Sequence, residues 1–353
     1  MRKNFTYLIL LLAAASAILL FFTGCGTNSG TVVTYNDIVW AVGANIYGSG
    51  TILKTVNSGI TWTRQGSPEI PDIIMNDVIA LNSTTAWVVG GNIYGSATIF
   101  LTTDGGDTWT RQGSGEVPDV YLYAITAAST LTAWAVGDNG TIVKTTNGGA
   151  SWATQESGTT AQLEGIKAVD ENIAWAGGNP DNGYVIILRT IDGGANWSRV
   201  GISEEVGGNP LIKITAFDAD TAWAVGGCRT AIRTDNGGAS WEQQFDSHPT
   251  SNGDLNNIIA FDTDRAWMAA DAGVMLYTSD GGATWEGQTA GTSGYYLLGV
   301  DAVDQNNIWS VGSEISPPFN GIIVHTFSGG APWSQQLIWD KGLSAVSAVG
   351  GNR

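Results

Sequence analysis

Residues Thr145–Trp152 read TTNGGASW, and Thr102–Trp109 read TTDGGDTW. TIDGGANW, TDNGGASW and TSDGGATW follow, ending at Trp197, Trp241 and Trp285, and two looser copies, TVNSGITW and TFSGGAPW, end at Trp62 and Trp333. The closing tryptophans stand 47, 43, 45, 44, 44 and 48 residues apart. A second series sits upstream in AWAVG-like segments, at Trp40, Trp87, Trp134, Trp175, Trp223, Trp267 and Trp309, and of the 15 tryptophans only Trp339 belongs to neither series. A fixed period near 45 residues marks a chain assembled from one repeated supersecondary unit. One unit reads LYAITAAS, TAWAVG, GTIVKT and, after the NGG turn, SWATQ: four short segments of alternating or continuous apolar residues, hence four strands. A helical solenoid of that period is excluded by the absence of any helical apolar spacing. The expected fold is all-β, a seven-bladed β-propeller of four-stranded antiparallel blades over residues 37–353. The composition agrees, with 48 Gly and 15 Trp and only 13% charged residues.

The octapeptide Thr-x-Asp-x-Gly-x-(Thr/Ser)-Trp resembles the Asp-box, or BNR repeat, placed in the hairpin between the third and fourth strands. Its acidic position is Asp104, Asp192 and Asp280, but Asn57, Asn147 and Asn236, and Ser328, in the other copies. Asn and Ser accept the same backbone hydrogen bonds as Asp and supply no carboxylate. A site that needs charge does not tolerate its loss in four of seven copies, so these residues are read as turn-builders. Gly106 and its equivalents provide a positive-φ position, and the Trp anchors the turn on the sheet.

Ring closure is legible at the two ends. Six innermost strands carry Ile or Val nine residues before the upstream Trp (Val78, Ile125, Ile166, Ile214, Ile258, Val300), whereas the first unit has Thr31 there. Leu343, Val346, Ala348 and Val349 match Leu163, Ile166, Ala168 and Val169. The C-terminal segment is therefore expected to form the innermost strand of blade one beside Trp40, Ala41 and Val42, with Thr31–Tyr35 a tether or competitor.

Residues 1–24 read as a signal peptide: Arg2 and Lys3 precede an apolar run, Leu8–Phe22, too short for a membrane span. It ends in FTGC, Phe22–Cys25, which resembles a bacterial lipobox with Phe where Leu is usual. Cys25 is the expected lipidation site, residues 25–36 a lipidated N-terminus and tether, and the location extracytoplasmic on an outer membrane or cell surface. Cleavage would take the net charge from −17 to −19 by removing Arg2 and Lys3. A body this acidic does not bind nucleic acid through its phosphates and is repelled by anionic lipid, so the acyl chains alone would hold it at the membrane. Cys228 is left without a disulfide partner and is expected to be a small buried residue.

The AW(A/V)VG, GTI(L/V)KT and GG-x-(T/S)-W units resemble the photosystem II stability/assembly factor-like propellers over essentially the whole predicted propeller. That resemblance implies a non-enzymatic assembly or protein-binding scaffold. The family's photosystem role is linked to a basic patch, which this acidic chain lacks, so photosystem binding does not carry over. Asp-boxes also occur in sialidases and glucan hydrolases, which makes a carbohydrate-binding or glycoside-hydrolase-like propeller the alternative. The sialidase Arg-Ile-Pro motif is missing, His248 and His325 stand apart, and no nucleophile–base pair, phosphate loop, metal cluster or cofactor site is visible. The expected state is a monomer with a protein partner. Strand alternation puts the four-to-one and two-to-three connections on one face, where long irregular loops are expected to bind. The candidate contact residues are Tyr47 and Tyr94 (from two NIYGS copies), Tyr121, Tyr184, Tyr295, Tyr296, Phe319 and Trp339, interspersed with Glu69, Asp72, Glu116, Asp119, Glu204 and Glu205.

Overall fold

The computed structural model describes residues 36–44, 50–66, 73–92, 96–200, 208–244 and 253–350. These residues form seven four-stranded antiparallel sheets, the blades of a seven-bladed β-propeller. Blade three is Leu122–Ala127, Ala133–Gly137, Ile142–Thr145 and Ala153–Gln155, numbered outward from the axis. The innermost strands touch one another in a closed cycle that runs through all seven blades.

The second strands show why the AWAVG pattern reads as it does. In blade one, Ile38, Trp40 and Val42 pack into blade two with Met75, Val78, Val88 and Trp109, while Val39 and Ala41 pack into blade seven with Trp309, Val311 and Leu343. Alternate side chains of one strand thus serve two different cores, and the strand is apolar at every position because both of its faces are covered. All seven upstream tryptophans are fully buried.

Each Asp-box turn locks onto the blade before it. Trp109 of blade two meets Trp40 of blade one edge-to-face at 5.6 Å, and Trp87–Trp152, Trp175–Trp241 and Trp267–Trp333 repeat the contact at 5.5, 5.9 and 5.7 Å. In blades one, three, four and five a basic residue paired with the buried Trp on the third strand completes the latch. Lys54 lies 4.6 Å over the Trp40 ring and donates to Gly105 O and Ser83 O of blade two. Lys144 over Trp134 donates to Gly193 O and Glu171 O of blade four, and Arg189 over Trp175 donates to Gly237 O and Ala219 O of blade five. Arg233 repeats this over Trp223 toward Thr263 O. Much of the chain's small stock of basic side chains is used between blades.

Blade one closes as the C-terminal pattern predicts. Gly342–Val349 pairs antiparallel with Ile38–Ala44, with Trp40 opposite Ser347, Ala41 opposite Val346 and Val42 opposite Ala345. Cys25 and Thr31–Tyr35 lie outside the described residues. One expectation is corrected: Cys228 is exposed. It occupies the middle of a three-residue 3₁₀ turn with φ 52°, where blades three and six place Asn139 and Ala272 at φ 57°. A left-handed position at a turn apex points its side chain into solvent, which the apolar strand before it did not reveal.

Candidate functional site

Aligned by the ring, the innermost strands obey a rule that the tryptophans hide. Each begins with Met75, Leu122, Leu163, Leu211, Leu255, Leu297 or Leu343, carries Val78, Ile125, Ile166, Ile214, Ile258, Val300 or Val346 three residues later, and then an alanine two further on. The residue after the leading Met or Leu is skipped by the pairing register in every blade: a β-bulge leaves Asn76, Tyr123, Glu164, Ile212, Asn256, Leu298 and Ser344 unpaired. The AWAVG glycine permits this. A Cβ on Gly137 would stand 2.1 Å from Tyr121 O, and Gly43, Gly90, Gly178, Gly226 and Gly312 meet the equivalent carbonyl at 1.9–2.0 Å. Blade six holds Ala270 in that place.

All seven bulge residues line one cavity of about 210 Å³ at the axis, where the four-to-one connections enter the innermost strands. Tyr121 and Tyr123 form a ring pair at 5.0 Å; Tyr121 Oη donates to Asn76 Oδ1 and Tyr123 Oη to Asp138 Oδ1. Burial, then the nearby Asp138 charge, pushes the Glu164 carboxyl above its ordinary range. Burial chiefly raises the Tyr123 phenol as well, so it is a neutral donor at any physiological pH.

Below this mouth the channel narrows to a cavity of about 80 Å³ lined by charged and polar groups of all seven blades. Lys213 Nζ of blade five reaches Asp77 Oδ2 of blade two at 2.9 Å. Lys167 and Asp301 also line the channel; burial lowers the lysine and raises the aspartate, while each charge partly restores the other. These groups staple neighbouring strands: Asp77 Oδ2 accepts from Ile125 N, Asp301 Oδ2 from Ala348 N, Ser347 Oγ from Ala80 N and Thr126 Oγ1 from Ala168 N. The channel floor is thereby committed to holding the ring, and the mouth is the part left for a ligand.

The predicted site residues fall out differently. Tyr121 lies beside the mouth, its ring paired with that of the lining residue Tyr123. Tyr295, Tyr296, Phe319 and Trp339 gather on blade seven, but Tyr295, Tyr296 and Trp339 are strand residues rather than loop residues, as is Tyr184 on blade four. Tyr296 lies opposite Ser313, Ser313 opposite Gly321 and Gly321 opposite Trp339, so this row shares one face of the blade. Tyr295 Oη bonds Glu314 Oε1, and Phe319 sits at φ 61° between the second and third strands. Tyr47 and Tyr94 lie outside the described residues. The two-to-three connections of blades three, five and six are tight three-residue turns, not the long loops expected, because a single left-handed residue reverses the chain there. Glu116 caps a neighbour instead of facing a ligand: its Oε2 accepts from Trp152 N at 2.7 Å.

The Asp-box residues are structural. Asp104 Oδ1 accepts from Thr102 Oγ1 and Thr108 N, and its Oδ2 from Thr108 Oγ1. These bonds hold the Asp104 carboxyl well below its usual range, as they do at Asp280, and at Asp192, held down at about 2. Asn57, Asn147 and Asn236 accept the same bonds through Oδ1 and donate through Nδ2 to Thr61, Ser151 and Ser240. Ser328 faces Pro332 four residues on, which has no N–H to donate. The opposite face also exposes Ile60, Leu131, Ile191, Phe217 and Phe327, spread over five blades, as isolated surface residues.

The sequence model of the family described as Photosynthesis system II assembly factor YCF48 matches residues 116–245 and 211–290. No match is found among curated proteins. Among solved structures the chain is similar to YCF48 bound to D1 peptide (TM-score 0.57, 20% identity, 84% of each chain). It is also similar to YCF48 from Cyanidioschyzon merolae (TM-score 0.59, 17% identity, 83% of this chain and 96% of that one). A third likeness is to the GH74 xyloglucanase from Xanthomonas campestris (TM-score 0.60, 9% identity, 89% of this chain and 54% of that one). At such identities the structural likenesses speak for the fold. The family match spans blades three to six, over which the chain is photosystem II assembly factor-like, and all seven blades are built as BNR-repeat units of one propeller.

Proposed function

We propose that this chain is a non-enzymatic protein-binding or assembly scaffold, anchored by lipid at Cys25 in an extracytoplasmic compartment, acting as a monomer and engaging its partner through the face that carries the axial mouth. One observation carries the reading. In a chain that repeats itself at nearly every structural position, the seven bulge positions at the mouth are occupied by six different residue types. Structure does not require that diversity, and recognition of an asymmetric ligand does. A protein of similar fold solved with a peptide bound supports a polypeptide partner. The anchor rests on the FTGC sequence after its apolar run.

A photo-crosslinking residue at Tyr296 or Phe319 tests the face, with one at Ser129 on the opposite face as control. In the protein's own cells, discrete protein adducts are expected from the first two and none from the third. Adducts from Ser129 alone would overturn the assignment, and turnover of a fluorogenic glycoside panel would overturn the non-enzymatic reading. Palmitate-analogue labelling is expected on the wild type and absent from Cys25→Ala.

A further inference from the structure

We propose that the axial mouth is a receptor for a single cationic side chain, an arginine or lysine presented by the bound polypeptide; this deepens the protein-binding reading and rests on it. The cavity, about 210 Å³, suits the end of one side chain rather than a folded element. Glu164 is the one carboxylate in its lining, and Asp138 is linked to it through the lining residue Tyr123. Glu164 receives one hydrogen bond, from Gln162 Nε2 at 3.2 Å, and Asp138 receives the Tyr123 hydroxyl. Among the described residues neither carboxylate has an ion-pair partner. Lys213 also lines this cavity, but its charge is already met by Asp77, 2.9 Å from its Nζ. Glu164, raised by its burial and then by the Asp138 charge and without an ion-pair partner among the described residues, favours a ligand that brings a cation.

The remaining groups narrow the class further. Asn76 Nδ2 is spent on Leu122 O, and Asn256 Nδ2 on Leu297 O and Asp271 Oδ1. Asn256 thus has both amide hydrogens engaged and Asn76 one of its two, so the capacity left at the mouth is mostly acceptor. Tyr123 has its hydroxyl committed as a donor, and its ring is paired with Tyr121 beside the carboxylates. A pocket with a free carboxylate and one aromatic ring, Tyr123, in its lining matches a guanidinium, which has five donors, no acceptor and a plane that stacks on aromatic rings. The hydrophobic part of the wall, Ile212, Leu298 and Ala345, would take the methylene stem. Aromatics and apolar residues lie on the same rim as the acids, so a simple solvated acidic surface does not account for the arrangement.

The test uses N-acetyl-arginine methylamide and its uncharged isostere, N-acetyl-citrulline methylamide, titrated into the full chain while the side-chain amide signals of Asn76 and Asn256 are followed by NMR. The arginine probe should shift both signals and bind at least tenfold more tightly than the citrulline probe. Glu164→Gln should abolish that preference without lowering the melting temperature. Equal binding of the two probes, no shift at either amide, or an unaltered preference in Glu164→Gln would each overturn the proposal. The broader reading fails separately. If Tyr296 crosslinks a partner in the wild type and equally in Glu164→Gln, the face is right and the cationic receptor is wrong. If nothing crosslinks from that face in the wild type, the protein-binding reading itself falls.

Discussion

At the scale of single residues, the repeats make this chain its own mutational series. Asn147 does in blade three what Asp104 does in blade two, so Asn147→Asp should leave stability unchanged. Gly149 has no such freedom: its φ is 86°, and a Cβ would meet Trp87 of the preceding blade at 2.5 Å. Gly149→Ala is expected to cost about 3 kcal/mol from backbone strain and overpacking together, read as a shift in urea midpoint. His325 is the residue where sequence reading was least informative. A lone histidine carries no pattern, yet it takes the latch position on blade seven, stacked 4.0 Å from Trp309 and flanked by Phe327. Gln336 Nε2 donates to its Nδ1, its Nε2 is buried without a partner, and Asp304 is the nearest opposing charge. Burial pulls its pKa down from 6.5 to about 4. Between those values the unfolded chain binds the proton and the folded one does not, so this contribution is intact above pH 6.5 and is lost as pH falls toward 4. The loss amounts to about 3 kcal/mol. His325→Tyr, which copies Tyr277 of blade six, should flatten the difference in unfolding free energy between pH 7 and pH 4.5. An unchanged difference would place the histidine outside the acid response.

The element scale shows why some of the design was legible and some was not. Four strands per unit, the Asp-box hairpin and the order of the loops follow from apolar alternation and turn chemistry, which are local. The latch is local in sequence as well, since a Lys or Arg stands one residue before the Asp-box threonine at Lys54, Lys144, Arg189 and Arg233. Its targets, the turn carbonyls of the next blade, are about 30 to 50 residues away and appear only once blades are stacked. Leu101 at the same position of blade two shows that the charge is dispensable in kind. Lys144→Leu should therefore destabilise without unfolding, by about 1–2 kcal/mol for two charge-assisted bonds and a cation–π contact less the desolvation relieved. Lys144→Arg should retain most of the stability, and equilibrium urea unfolding of the pair checks both. The bulge, by contrast, needs a register, and register is a pairing property. The signal was nevertheless present in the alignment of repeats: between the leading Leu or Met and the Ile or Val two columns vary, and the first of them lines the mouth in every blade.

On the scale of the whole molecule, the ring is tied across its axis and at its seam. Lys213 and Asp77 join blades five and two across the channel, with side chains 21% and 8% exposed. Lys213→Met would leave Asp77 buried without its cation and is expected to cost about 3 kcal/mol, most of which Asp77→Asn in the same chain should restore. The seam was the part of the architecture that sequence matching reached from farthest away, because Leu343, Val346 and Ala348 repeat a column pattern fixed by six other strands. What matching did not reveal is how many neighbours this strand serves. Leu343 and Val346 pack with Trp309 and Val311 of blade seven, and Ala345 joins the core between blades one and two. Ala348 N donates to Asp301 of blade seven, and Ser347 Oγ accepts from Ala80 N of blade two. Removing residues 342–353 therefore opens two blade interfaces as well as the edge of Ile38–Ala44, and an open strand edge beside exposed apolar cores invites association. The deletion is expected to abolish a single cooperative melt and to produce aggregating protein. Val346→Asp inserts one uncompensated carboxylate at a position 7% exposed and should cost about 3 kcal/mol while keeping the transition cooperative. Val346→Ile, the residue of blades three to six, should be neutral. Thermal unfolding of the three variants together decides it: a deletion that melts like wild type would mean that another segment fills the innermost place of blade one.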